Sequence, residues 1–287
     1  MITNISKYVL NKGEYDRIGD DIILMYSPYN KDGYDRPFRS DMLSFALIME
    51  GGLECKIDLI DYKANTPGCL IILPAMIVER IRFSDDFKGI FLLISRKILS
   101  GLELDNSFSL ITSIAESPFI ALDSETIDAL KNYLSMIRGI VRQEDNPHRI
   151  EMIKLLTKAY NYGLGYYIHK RKRTDSEEAK SRKGQIVRQF LSLAKENCKK
   201  ERGLDFYAAR LCLSAKYLTT VVKDVTGKPA GKWIEEYTIL NAKILLQEGR
   251  MTIGQISDEL SFASQSDFGK YFKKAVGLSP KHFSTSL

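Results

Sequence analysis

Two sets of polar side chains near the end of the chain have residue types and spacing suited to directed hydrogen bonding. They are Lys216, Thr219 and Thr220 in the first set and Gln265, Ser266, Asp267 and Lys270 in the second. Ammonium, hydroxyl, carboxamide and carboxylate groups donate or accept hydrogen bonds in defined directions. The sequence contains no Ser-His-Asp order, phosphate-binding loop or nucleotide-binding fingerprint. The chemistry indicated is therefore recognition, and we predict that the chain is not an enzyme.

Each set lies on a predicted amphipathic helix, and the two helices repeat one pattern fifty positions apart. Ser214 and Ser264 suit helix N-caps, and Gly227 and Gly277 suit the residues that end the helices. The predicted buried stripes are Tyr217, Leu218, Val221, Val222 and Val225 in the first helix and Phe268, Tyr271, Phe272 and Ala275 in the second. The two polar sets are left facing outward by this periodicity.

A shorter apolar segment and a tight turn precede each helix, at residues 205–213 and 252–262. A short helix, a turn and a second helix with an exposed polar face form a helix-turn-helix, whose second helix can enter a DNA major groove. Residues 229–247 between the two units predict a connecting helix, with Pro229 initiating it and Gly249 ending it. Its length of ~28 Å can hold two reading helices about one DNA turn, ~34 Å, apart.

The sequence over residues 184–287 resembles the DNA-binding domain of AraC/XylS-type transcription regulators. The matching positions are Ala208, Leu211, Ser214, Tyr217, Leu218, Lys223, Gly227, Ile239, Ala242, Leu245, Leu246, Ile253, Ile256, Leu260, Phe262, Ser266, Phe268, Lys270, Tyr271, Phe272, Lys273, Lys274, Gly277, Ser279, Pro280 and Phe283. The resemblance implies a sequence-specific regulator that binds double-stranded DNA. It also implies that Lys216, Thr219 and Thr220 occupy base-contacting positions.

Side-chain chemistry predicts which bases the second set would read. Gln265 can pair with adenine, Asp267 can accept from cytosine N4, and Lys270 can donate to guanine. Asp267 has the alternative role of compensating charge at the helix N-terminus. Phosphate contacts are predicted for Ser214, Lys223, Ser264, Lys273 and Lys274. For the three lysines, a place on the solvated helix surface is the alternative.

Three residues depart from the family pattern. Cys212 and Ser261 stand where the family usually has a glycine in each turn, and they would strain the backbone if the turn needs a positive φ. Thr220 stands where an arginine is usual in the first reading helix. A guanine contact expected from the family is therefore absent.

The length of 287 residues is sufficient for two domains, and charge is distributed unevenly between the two parts of the chain. Residues 183–287 hold 17 basic and 10 acidic residues, whereas residues 1–169 hold 19 and 23. This asymmetry is typical of a chain whose C-terminal part approaches phosphates. No membrane span or signal peptide is predicted, so we expect a cytoplasmic protein with reduced cysteines.

The first part of the chain has the composition of short β-strands. Apolar runs at 22–26, 43–49, 53–60, 69–73, 77–83 and 89–94 alternate with turn signals at 51–52, 61–65, 66–68 and 84–86. These runs predict a small barrel or jelly roll, and the family resemblance implies a cupin-like β-barrel over residues 1–122.

A metal or catalytic site in this barrel is not expected. The three histidines, His148, His169 and His282, all lie outside the strand region, so neither a metal nor a cofactor is predicted. Charged residues that can line a small-molecule pocket, or else lie on the solvent face, are Arg36, Arg39, Glu79, Arg80 and Arg82. They do not indicate a ligand class.

Residues 123–169 switch to helical periodicity and predict a hairpin. Ser124 is the expected cap of a helix to residue 143, and Pro147 starts a second helix towards His169. The family resemblance implies that this hairpin mediates dimerisation, and the alternative is that it packs only on the barrel. Residues 170–183 are charge-dense and predict an exposed linker.

Together these patterns predict an α+β multidomain protein with a cupin-like barrel, a helical hairpin, a linker, and an all-α double helix-turn-helix domain at residues 184–287. The expected partners are double-stranded DNA, a second copy of the chain, RNA polymerase and a small-molecule effector, but no membrane. In one alternative the barrel binds no small molecule and serves only dimerisation or polymerase recruitment. In another, the barrel is an enzyme fused to a DNA-binding domain.

Overall fold

The computed structural model describes residues 15–26, 36–65, 67–100, 114, 117–172 and 182–285. The chain divides into two compact units, Met1–Asp175 and Ser176–Leu287. The first contains β-strands and helices, and the second is helical over its described residues. An α+β multidomain fold is thus confirmed.

The described strands of the first unit form two antiparallel sheets. They are β1 Tyr15–Ile18, β2 Ile22–Tyr26, β3 Phe38–Arg39, β4 Met42–Glu50, β5 Gly52–Ile57, β6 Ile60–Asn65, β7 Gly68–Ile72, β8 Ile77–Phe83, β9 Lys88–Ser95 and β10 Phe119–Ala121. One sheet has six strands in the order β1-β2-β9-β4-β7-β10, and the other has four in the order β3-β8-β5-β6. Each described strand pairs only within its own sheet, so the barrel is not closed over the described residues, and the two sheets form an open sandwich.

One predicted turn is a strand. Residues 61–65 were expected to form a turn because they are mostly polar, but they belong to β6. The chain reverses instead at Asp58 and Leu59, whose φ angles of 49° and 71° suit a tight hairpin. The Asp58 carboxylate accepts a hydrogen bond from the Ile77 N–H at 2.9 Å. β6 is polar because one of its faces is exposed.

The six-stranded sheet is buried on both faces, because alternate residues of a strand point in opposite directions. Ile22 and Leu24 of β2 join the apolar cluster that includes two helices, α2 Ser124–Val141 and α3 Arg149–Lys172. Ile23 and Met25 join the cluster shared with the four-stranded sheet. A short helix, α1 Arg96–Ser100, follows β9. The first unit is therefore layered as small sheet, large sheet and helical hairpin.

The hairpin packs on the large sheet through one face of each helix. Leu134 and Ile137 of α2 and Ile153 of α3 are completely buried in that cluster. The cap of α2 is Asp123, whose carboxylate accepts from the Thr126 N–H, so the expected cap Ser124 is wrong by one residue. This packing matches the alternative that placed the hairpin on the unit's own core.

The described helices of the second unit are α4 Arg182–Asn197, α5 Leu204–Arg210, α6 Ala215–Thr226, α7 Ala230–Glu248, α8 Ile253–Glu259, α9 Gln265–Val276 and α10 Pro280–Thr285. The predicted linker overlaps the ends of α3 and α4, and residues 173–181 lie outside the described residues. Pro229 is the N-cap of α7 and not its first residue. No helix in the described part of the chain combines the length and the apolar composition that crossing a membrane requires.

Candidate nucleic-acid interface

The first helix-turn-helix consists of α5, a turn and α6, and local capping fixes its ends. The Ser214 hydroxyl accepts a hydrogen bond from the Tyr217 N–H at 3.2 Å, which confirms its predicted cap. Gly227 ends α6 in the left-handed conformation at φ 73°. Cys212 in the turn has φ 56°, so the turn needs a positive angle at a residue that is not glycine, which is the condition for strain.

The polar set of α6 faces outward. Lys216 and Thr220 are exposed and Thr219 is half-buried. The Thr220 hydroxyl donates to the Lys216 carbonyl at 3.0 Å, and its oxygen can still accept a hydrogen bond. Thr219 and Thr220 therefore offer only small contact groups beside the longer Lys216.

The buried stripe of α6 is narrower than expected. Leu218, Val221 and Val222 are buried, whereas Tyr217 is 44% exposed and Val225 is 50% exposed. The placement of Tyr217 and Val225 in the buried stripe is therefore wrong. This amphipathic helix of twelve residues buries three positions on one side, which leaves the Tyr217 ring partly exposed. Sequence reasoning missed Tyr217 as a surface residue because its apolar ring counted towards the stripe.

The second helix-turn-helix consists of α8, a turn and α9. A capping box at Thr252 and Gln255 starts α8, since each side chain binds the backbone N–H of the other residue. Ser261 in the turn has φ 54°, matching Cys212 in the turn of the first helix-turn-helix. Gly277 ends α9 at φ 84°. The two helix-turn-helix motifs therefore have the same construction, as the repeated pattern predicted.

The N-terminus of α9 contains a local hydrogen-bond pair. The Ser264 hydroxyl accepts from the Asp267 N–H at 3.1 Å and donates to the Asp267 carboxylate at 2.8 Å. Asp267 lies in the first turn, where a negative charge is favoured by the helix dipole. In this conformation Asp267 fills the capping role that the sequence left open as an alternative.

The remaining polar residues of α9 are exposed. They include Gln265, Ser266 and Lys270, while Phe268 and Phe272 are buried. Tyr271 is half-buried, and burial raises its pKa to about 12. Ala275 is exposed, so its predicted place in the buried stripe is wrong.

The helix between the two helix-turn-helix motifs, α7, packs against both of them and fixes their positions. α7 is 19 residues long, or ~28 Å. Ile239, Ala242 and Leu246 of α7 form one cluster with Phe268 and Phe272 of α9. α6 and α4 also pack on α7. The two reading helices, α6 and α9, are thus held by one rigid element.

Some lysines of the second compact unit form ion pairs, whereas those on the reading helices form none among the described residues. Ion pairs join Lys183 to Asp224, Lys199 to Glu259, Lys228 to Glu236 and Lys232 to Glu235. Among the described residues, no such pair involves the lysines on the reading helices, which are Lys216, Lys223, Lys270, Lys273 and Lys274. All five are exposed. Each reading helix therefore presents exposed lysines without an acidic partner among the described residues.

The charged candidates of the first unit do not converge on one site. Arg39 donates to the Ala75 carbonyl, Glu79 pairs with Lys56, and Arg80 pairs with Asp61. Arg82 is exposed and lines an open groove of about 570 Å³ with Glu54 and Lys63, which pair with each other at 2.8 Å. Arg36 is exposed at the start of a described segment.

Metal chemistry has no visible support in the described part of the chain. No group of three or more His, Cys, Asp or Glu residues lies close enough there to hold a metal ion. Cys55, Cys69 and Cys198 are buried free thiols, and Cys212 is an exposed one. Burial raises the pKa of the Cys55 and Cys69 thiols to about 12, so these two stay protonated.

A family model described as a helix-turn-helix domain matches residues 207–286. The chain is 34% identical over 76 residues to the arabinose operon regulatory protein of Salmonella typhimurium, covering 26% of this chain and 27% of that protein. Residues 207–286 are thus similar to the helix-turn-helix domain of AraC-type regulators. The F1 operon positive regulatory protein of Yersinia pestis is 36% identical over 70 residues, covering 24% of this chain and 23% of that protein. The AraC-type resemblance predicted from the sequence is confirmed over these residues.

The chain spans about a quarter of the length of the curated relatives that it matches first. A crystal structure of unsaturated fatty acid bound wild-type ToxT from Vibrio cholerae strain SCE256 aligns over 96% of each chain, with 14% identity and a TM-score of 0.43. The family model matches residues only in the second compact unit, Ser176–Leu287.

Proposed function

We propose that this chain is a sequence-specific transcription regulator whose AraC-type domain reads two successive major grooves of double-stranded DNA. The observation that carries the proposal is the pair of reading helices on α7, both with exposed lysines that have no acidic partner among the described residues. Lysines free of local ion pairs can neutralise phosphates and release counterions. The length of α7, ~28 Å, suits two half-elements on one face of the duplex.

Within this function, we assign base contacts to the exposed N-terminal parts of both reading helices. In α6, Lys216 donates to guanine, and Thr219 and Thr220 contact neighbouring bases. In α9, the base contacts are made by Gln265, Ser266 and Lys270. Asp267 is assigned the capping role, and a contact with cytosine N4 is the alternative role for it. Lys223, Lys273 and Lys274 contact phosphates, and Ser214 and Ser264 lie where helix N-termini bind them.

The test is selection of double-stranded DNA from a random pool by the full-length protein, followed by binding to the selected site at several salt concentrations. The expected result is an enriched motif with two half-elements about 10 base pairs apart and a logarithmic affinity that falls linearly with logarithmic salt. Binding without any enriched motif would contradict sequence-specific reading.

For the first unit we propose dimerisation with a second copy of the chain through the outer face of α3. Exposed residues follow one another there at intervals of three and four, which is the spacing of a coiled-coil seam. They are Met152, Leu155, Ala159, Tyr162 and Tyr166, the seam stripe. Ile153, Thr157 and Leu164 are buried on the opposite side. α3 therefore has a second apolar face that its own sheet does not cover.

The surroundings of the seam stripe suit a second helix. Leu155 is 68% exposed and Tyr166 is 72% exposed, which is unusual for large apolar side chains. Gly163 and Gly165 flank the stripe, and a Cβ at either position would meet nothing within 4 Å. Glycine within a helix costs stability but lets another helix approach closely. A two-fold interface needs the same patch on both copies, which one continuous stripe provides.

The interior of the first unit favours protein contacts over an effector in the sandwich. The space between the sheets is filled by apolar side chains such as Ile23, Met42 and Val78, all fully buried. A small molecule bound there would have to displace them. Among the described residues of β4, Ser44 has the one buried hydroxyl that faces the space between the sheets. An effector bound in that space would therefore be largely apolar. This packing supports the alternative in which the first unit acts mainly by dimerisation.

A further inference from the structure

The segment before the first helix-turn-helix binds the turn of the second one. This bridging segment, residues 198–202, lies between α4 and α5. Arg202 donates from Nη1 to the Leu260 carbonyl at 2.5 Å and from Nη2 to the Ser261 carbonyl at 2.6 Å. Its guanidinium lies 4.0 Å from the centroid of the Phe262 ring. One half-buried arginine thus contacts three successive residues of the second turn.

The chemistry of this contact requires arginine. Leu260 is the C-cap of α8, where carbonyl groups lack helical partners. Two neighbouring carbonyls and an aromatic face match the planar fork of a guanidinium, whereas a lysine ammonium is a single point of charge. Ser261 is held at φ 54°, a conformation that residues with a Cβ disfavour. Arg202 therefore binds a turn whose backbone is strained.

Further contacts anchor the bridging segment at both ends. Lys199 pairs with Glu259 of α8 at 2.8 Å, and this hydrogen bond holds the pKa of Glu259 below its usual value. The Cys198 carbonyl accepts from the Thr238 hydroxyl of α7 at 3.1 Å. The Glu201 carbonyl accepts from the Tyr207 hydroxyl of α5 at 2.6 Å. The segment thus connects α5 of the first helix-turn-helix, α7, and α8 of the second helix-turn-helix.

We propose that Arg202 is a positioning residue that fixes the turn of the second helix-turn-helix, and hence the direction of α9, relative to the first helix-turn-helix. The N-cap of α9, Ser264, follows Ser261 by three residues, so a change in the turn changes where α9 begins. Arg202 then controls how the second half-element is read without contacting DNA. This inference rests on the proposed function only for its effect on DNA.

The first test needs no DNA. Hydrogen exchange is compared in the full-length protein for wild type, Arg202→Lys and the control Arg210→Lys, whose guanidinium lies on Phe206 at 5.2 Å in α5. Arg202→Lys should speed exchange at residues 260–268 by about tenfold and leave residues 211–218 unchanged. Arg210→Lys should leave residues 260–268 unchanged. Unchanged exchange at the second turn in Arg202→Lys, or equal acceleration in both turns, would overturn the proposal.

The second test uses the selected DNA site with either half-element scrambled. Wild type should lose affinity for both scrambled sites. For Arg202→Lys, the ratio of affinities for the intact site and the site with a scrambled second half-element should fall about tenfold. The corresponding ratio for the first half-element should stay unchanged. Equal losses at both half-elements, or none, would overturn the effect on reading. If wild type selects no site, the proposed function fails, and the exchange experiment still decides whether Arg202 holds the turn.

Discussion

The Ser264 hydroxyl and the Asp267 carboxylate are joined by a hydrogen bond of 2.8 Å at the first turn of α9. The same hydroxyl accepts from the Asp267 N–H, so the pair closes the N-terminus of the reading helix. Asp267 is an acidic residue among basic ones. The capping of the α9 N-terminus accounts for its presence without a contact to a DNA base. The pair shows Asp267 in the capping role, and the contact to cytosine stays a prediction.

Replacement of Asp267 separates those two roles. Asp267→Ala is expected to lower the free energy of unfolding by ~0.5–1 kcal/mol through the lost cap charge, and to leave the selected DNA motif unchanged. Urea denaturation and repeated selection from a random pool measure the two effects. Loss of a cytosine preference at one position of the motif would show that Asp267 reads a base.

The lysines of the reading helices should fall into two classes. Lys216→Ala and Lys270→Ala are each expected to lose ~1–3 kcal/mol on the selected site and to relax specificity at one base pair. Lys273→Ala should weaken binding to selected and random DNA alike and reduce the salt slope by about 1. Titrations at three salt concentrations provide the comparison. Identical behaviour of all three variants would refute the division.

The two strained turns should gain stability from glycine. Cys212 and Ser261 are exposed at φ 56° and 54°, so Cys212→Gly and Ser261→Gly remove strain and lose little packing. Relief of ~1–2 kcal/mol less the entropic cost of glycine leaves a net gain of ~0.5–1 kcal/mol. The matched control is Gly227→Ala at φ 73°, which should lose ~1 kcal/mol or more. Chemical denaturation gives all three values, and destabilisation by both glycines would contradict the strain argument.

A charge in the seam stripe should prevent dimerisation. Leu155→Asp and Tyr162→Asp place like charges together across a two-fold axis, which costs several kcal/mol. Both side chains are exposed, so folding should be unaffected. Sedimentation equilibrium should show a dimer for wild type and for the control Asn132→Asp, an exposed site on α2, and a monomer for the stripe variants. A monomeric wild type, or a dimeric Leu155→Asp, would exclude this interface.

The sequence predicted features that depend on neighbouring residues. The serine caps and glycine ends of α6 and α9 are read from short segments, and so are the apolar runs that became β2, β4 and β8. β1, β3 and β10 were missed because they are short, and β6 because one of its faces is polar. The open sandwich was not predictable, since closure of a barrel depends on pairing between distant strands.

The site shows the same division. The outward placement of Lys216 and Lys270 follows from helical periodicity, and the structure finds both exposed. Arg202 carried no sequence signal, because its partners are carbonyl groups 58 and 59 residues away. The seam stripe was hidden because α3 is apolar on two sides. Packing between distant segments decides such features.

The most direct test of the central claim is the dependence of affinity on half-element spacing. Insertion of 5 base pairs into the selected site turns the second half-element to the opposite face, and insertion of 10 adds ~34 Å, beyond the reach of α7. We predict that full-length protein binds both altered sites no more tightly than a site with one half-element. Recovery of affinity with the 10-base-pair insertion, or affinity independent of spacing, would contradict a rigid two-helix reader.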